Sequence, residues 1–157
     1  MKLRGLRDED FLQYKKPAMF VIFPFCTFKC DKENGTQVCQ NFGLSKQPII
    51  EIEPRKLVER YLLNPLTKAL VIGGLEPIDS YSDLLDLIRE FRKYTPDDVV
   101  IYTGYNADEI DDELACLAQF KNIIVKFGRF IPGQTPHLDA LLGVELASDN
   151  QYAERIS

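Results

Sequence analysis

No apolar run in the 157-residue chain approaches the roughly 18 residues that a membrane-crossing helix needs. The opening stretch MKLRGLRDEDFLQYKK is charged and has no apolar core of the kind a secretory signal carries. These two absences predict a cytoplasmic protein with no membrane partner. A long basic run is also missing, and 19 Lys and Arg against 24 Asp and Glu leave a net charge of −5, which argues against nucleic acid as a partner. Without repeats, low-complexity tracts or a dividing linker, residues 1–157 are expected to form one domain, long enough to bury a core without disulfide staples. Cysteine is scarce, four in all, and histidine occurs once.

Three of those four cysteines nonetheless crowd into CTFKCDKENGTQVC, residues 26–39. In a reducing compartment, clustered thiols serve more often as metal ligands or catalytic groups than as disulfides. A closed structural zinc site wants four protein ligands, and neither Cys116 nor His137 lies nearby in the chain. Cys116, within ELACLAQF, reads as a small core residue, and His137, within TPHLD, as a surface or turn residue. What remains is three thiols and an open position, the arrangement of a reactive metal centre rather than a structural one, and an iron–sulfur cluster held in this way has one iron free to bind a substrate. The alternatives are a non-catalytic zinc or redox module, or three unconnected thiols in a loop.

Around the cysteines the chain alternates between strand and helix. The runs AMFVIFPF from Ala18, KALVIGG at 68–74, DVVIYTG from Asp98 and KNIIVKF ending at Phe127 are short and apolar, as strands of a parallel sheet covered on both faces are. Between them PRKLVERYLLN puts Leu57, Val58, Tyr61 and Leu62 on one helical face. SYSDLLDLIREFRKY does the same with Leu84, Ile88 and Phe91, Leu85 lying beside them and Ser80 with Asp83 giving a capping signal. Asn106 and Glu109 suit the start of a third helix, facing inward through Ile110, Leu114 and Leu117. Such an order implies an α/β fold with a parallel sheet.

Ligands gather at the carboxyl ends of parallel strands, so residues 26–48, 73–79 and 103–106 should surround one cavity. In VIGGLEP the pair Gly73 and Gly74 lets a ligand approach the backbone, and Glu76 offers acceptors to a cationic amine. Lys29 and Lys32, beside Asp31 and Glu33, read as a solvated loop. Residues 1–17 are an N-terminal extension. Residues 128–157, rich in turn formers at first and ambiguous after that, are a candidate docking or lid segment.

These residues together resemble the radical S-adenosylmethionine enzymes, and more closely the activating proteins of anaerobic (class III) ribonucleotide reductase. The likeness spans roughly residues 18–155 in order. Its marks are the cysteine loop, Gly73-Gly74-Leu75-Glu76-Pro77 for a GGEP turn, Cys39-Gln40-Asn41, Ile101-Tyr102-Thr103-Gly104-Tyr105, the run NIIVKFGRF and Ala147-Ser148-Asp149-Asn150-Gln151. It departs from the family in having C-x3-C-x8-C for C-x3-C-x2-C, Val38 in place of an aromatic, and Leu75 inserted in the turn. Gly35 would let the insertion DKENGTQV turn back on itself.

The resemblance implies a partial, open (β/α) barrel. Cys26, Cys30 and Cys39 would hold a [4Fe-4S] cluster, while Gly73, Gly74, Glu76, Pro77, Thr103 and Tyr105 would bind S-adenosyl-L-methionine. It also implies an activase that makes a glycyl radical on the catalytic subunit of the reductase, or on another glycyl-radical enzyme, with reduced flavodoxin or ferredoxin as electron donor.

Overall fold

Four apolar runs form the middle of a six-stranded sheet. A computed structural model describes residues 1–157 and places strands at Lys2–Leu3 (β1), Gly5–Asp10 (β2), Ala18–Phe23 (β3), Ile50–Glu51 (β4), Ala69–Gly74 (β5), Asp98–Tyr102 (β6) and Ile123–Phe127 (β7). Three short strands follow, His137–Asp139 (β8), Val144–Leu146 (β9) and Tyr152–Arg155 (β10). Helices lie at Lys29–Asn34 (α1), Pro54–Leu63 (α2), Tyr81–Arg92 (α3) and Asp111–Leu117 (α4). The sheet order is β10-β7-β6-β5-β3-β2. Its four central strands run parallel, whereas β2 and β10 pair antiparallel at the two edges. The fold is therefore mixed α/β with a mostly parallel central sheet, and the expectation of a parallel sheet holds only for its middle.

Alternation along the central strands supplies two cores. Met19, Val21, Leu70, Ile72, Val99, Ile101, Ile123 and Val125 face one side, packed under α2, α3 and α4. Ala18, Phe20, Ile22, Ala69, Val71, Val100 and Ile124 face the other, with Tyr14, Leu142 and Leu146 covering them. Residues 1–17 and 128–157 are thus woven into the sheet and its second core.

Several local expectations change. Leu62 is 47 % exposed because α2 turns Leu57, Val58 and Tyr61 inward, and Leu87 joins the buried stripe of α3. Ser80 precedes α3 without capping it, its hydroxyl buried with no partner. Asn106 and Glu109 frame a 3-10 turn, Ala107–Glu109, and α4 begins only at Asp111. His137 lies in strand β8, not in a turn, with a buried and unpartnered Nδ1, while Cys116 on α4 is half-buried. No helix is long and apolar enough to cross a membrane.

Candidate functional site

The parallel register brings Phe23 opposite Gly74 and Tyr102 opposite Lys126, so the central strands end level with one another. Over those ends opens a cavity of about 620 Å3. Cys26, Cys30 and Cys39 line it, together with Gly74, Glu76, Thr103 and Tyr105. Gly73 and Pro77 do not: Gly73 sits in β5 against Tyr102 and Phe20, and Pro77 is buried at the start of the 3-10 turn Pro77–Ser80.

Each cysteine is held differently. The Glu76 N–H donates to Phe25 O at 2.8 Å, and the Thr27 N–H donates to Asp79 Oδ2 at 2.8 Å, which fastens Cys26 to the turn after β5. The Phe28 N–H reaches the Cys26 sulfur at 3.2 Å, and Phe28 takes a left-handed conformation (φ 51°) before α1 carries Cys30. The helix stops at Gly35, whose φ of 67° turns the chain back. Cys39 is fixed through its own N–H, which donates to Asp31 Oδ1 at 2.8 Å.

Burial pushes the metal-free Cys26 thiol up to about 12; burial, and then the neighbouring Cys39, pushes Cys30 up to about 11. Ligation of a metal would therefore have to displace protons.

Gly74 has a φ of 93°, and a Cβ there would lie 2.3 Å from Ile22 Cγ2, so the backbone geometry of this turn requires glycine. Glu76 is 4 % exposed and already accepts three protein hydrogen bonds. Its Oε1 takes the Ile78 N–H at 3.1 Å and the Thr103 hydroxyl at 2.8 Å, and its Oε2 takes the Gly104 N–H at 2.8 Å. A carboxylate has about four acceptor positions, which leaves one on Oε2 for a ligand amine. Burial raises the Glu76 carboxyl to about 7, these hydrogen bonds opposing the rise.

Tyr105 is committed as well. Its hydroxyl donates to Asp79 Oδ1 at 2.7 Å, and its ring lies under Lys29 at 4.2 Å and near Arg129 at 5.8 Å.

Lys126, Arg129 and Gln151, which the sequence offered only within matched runs and without a role, complete the wall. Lys126, 7 % exposed, donates to Gly128 O at 2.9 Å, and burial lowers its ammonium to about 8. Arg129 makes a two-pronged pair with Glu109 and reaches Glu33 of α1 at 3.1 Å, and this pairing holds the Glu109 carboxyl down at about 2. Gln151 donates to Gly128 O at 3.2 Å. Asp31, expected to be solvated, is a structural acceptor of the loop. Lys126 had one signal, being the only charge inside the apolar run IIVKF.

No three His, Cys, Asp or Glu side chains converge as the ligands of one metal ion. Cys26, Cys30 and Cys39 instead line one cavity together, as thiolates on separate corners of a multi-iron cluster must. Neither Cys116 nor His137 lines the cavity, so the donor set is three thiols with one position open. The residues present fit a [4Fe-4S] group.

Searches among curated proteins and among solved structures returned no match. A family model, 4Fe-4S single cluster domain, matches residues 18–142, from the first residue of β3 through the cysteine loop and all four parallel strands. With four-fifths of its length matched, the chain belongs to the 4Fe-4S single cluster domain family and is an iron–sulfur protein.

Proposed function

We propose that the chain is a radical S-adenosyl-L-methionine activase that generates a glycyl radical on the catalytic subunit of an anaerobic ribonucleotide reductase. The observation that carries this reading is the meeting of Cys26, Cys30 and Cys39 with the Gly74–Glu76 turn and the Thr103–Tyr105 segment around one cavity at the ends of four parallel strands. In this reading the sheet is the wall of an open (β/α) half-barrel. The three cysteines hold the cluster.

When bound, a cluster with one open iron supplies, with an electron from reduced flavodoxin or ferredoxin, the cleavage of S-adenosyl-L-methionine to methionine and the 5′-deoxyadenosyl radical that takes a hydrogen atom from a glycine of the partner. The protein contributes position and a dry wall. Gly74 lets the methionine end approach the backbone, and the spare acceptor of Glu76 Oε2 takes its amine. Thr103 and the Gly104 N–H hold that carboxylate still. Phe20, Ile22 and Leu146 give the cavity floor an apolar surface that excludes water from a reactive intermediate.

Protein reconstituted without oxygen is expected to bind about four irons per chain and, with dithionite, to convert S-adenosyl-L-methionine into methionine and 5′-deoxyadenosine. Replacing Cys26, Cys30 and Cys39 together by Ala should abolish the visible absorbance, and Cys116→Ala should leave it. A fully loaded cluster that never cleaves S-adenosyl-L-methionine would reduce the function to electron transfer or metal binding.

A further inference from the structure

One side chain closes the eight-residue gap between Cys30 and Cys39. Asp31 Oδ1 accepts the N–H of Val38 at 2.7 Å and that of Cys39 at 2.8 Å. The two ends of the excursion therefore lie within the reach of a single carboxylate. Lys32 to Gln37, between them, are all exposed, whereas Asp31, Val38 and Cys39 are half-buried, and Cys39 lines the cavity. The excursion projects into solvent as one short helix and a glycine turn, and Asp31 pinches its neck.

These bonds reach seven and eight residues ahead, so they are not the local turn that aspartate commonly makes with the next residues. Without them the eight residues before Cys39 would keep only the Glu33–Arg129 pair as a tie to the body, and each encounter of Cys39 with a cluster held at Cys26 and Cys30 would carry a larger loop-closure cost.

We propose that Asp31 is a positioning residue, which fixes the Cys39 backbone so that its sulfur meets the same cluster as Cys26 and Cys30. The inference rests on the reading that these three cysteines hold the cluster. What Asp31 contributes is an acceptor oxygen at a fixed place, because both N–H groups converge on the one atom, Oδ1. A neutral amide oxygen can serve equally, whereas a methyl group cannot.

The test uses the full chain as wild type, Asp31→Asn, Asp31→Ala and Cys39→Ala, each reconstituted without oxygen. It follows iron release to a chelator together with the cluster's visible absorbance. Asp31→Ala is expected to release iron roughly tenfold faster than wild type, the factor that one ordinary net hydrogen bond represents at the upper end of its range. Asp31→Asn should stay within about twofold of wild type. The metal-free melting temperature should not move in either variant, since Asp31 belongs to neither core; if Asp31→Ala does weaken the fold, Asp31→Asn still tests the inference, because it keeps the acceptor oxygen and should therefore keep the iron.

Asp31→Ala retaining iron as long as wild type, or Asp31→Asn losing it as fast as Asp31→Ala, overturns the inference and leaves the cluster reading standing. Cys39→Ala keeping a full, stable cluster overturns the cluster reading itself.

Discussion

Glu76 shows how burial rather than residue type decides what a side chain does. Its carboxyl stands at about 7 in the folded chain against an ordinary 4.5, chiefly through desolvation. Raising a folded value above the unfolded one means that folding takes up a proton between those limits. The resulting stabilisation is full below about 4.5 and is lost as pH rises through about 7. Glu76→Gln has nothing to titrate there, and Lys126, which burial lowers to about 8, begins to titrate only at the upper end of this window. Urea midpoints of the metal-free protein should therefore fall between pH 5 and pH 7.5 for wild type relative to Glu76→Gln. A difference that stays flat across that range would mean that Glu76 ionises as an exposed carboxylate does. The acid was legible in GGLEP, but its partners were not, because Thr103 and Gly104 arrive from the next strand. Asp31 was illegible for a related reason: an acid between two lysines in a polar loop looks solvated until the loop's return path is known.

At the scale of elements, α1 and its return form an insertion that the sheet does not need. Lys29 ties the helix to Glu109 in an exposed pair, a kind that contributes only about 0–1 kcal/mol, and Glu33 reaches the buried Arg129, whose two-pronged bond to Glu109 does not need the helix. Removing residues 32–37 would leave Asp31 joined to Val38, whose N–H it already holds. That shortened chain is expected to fold as wild type and to take up the same iron per chain on reconstitution; a well-folded but colourless product would show that α1 itself places Cys39. The four central strands were readable because both of their faces are buried, which forces continuous apolar sequence. The edge strands were not readable. GLRDED and YAER carry charge along an open edge, where it blocks pairing with other chains, and that composition hides the strand.

At the scale of the molecule, the question is whether the C-terminal segment is a detachable lid over the cavity or part of the cooperative structure. Leu142 is fully buried in the second core, and its carbonyl accepts the Lys15 N–H at 2.7 Å. Gly143, with a φ of 72°, would place a Cβ 2.7 Å from Lys15 Cβ, so the two segments meet too closely for any other residue. Tyr14 and Lys16 on one side and Arg155 on the other all converge on Asp98 at the start of β6. Both ends of the chain are thereby locked to the same central strand, which argues for one cooperative unit. Leu142→Ala should then cost about 2–5 kcal/mol, as Leu87→Ala in the opposite core should, and each should shift a single transition seen alike by far- and near-ultraviolet circular dichroism. A lid that docks independently behaves differently: Leu142→Ala would add an early, partial transition and leave the main midpoint where it was.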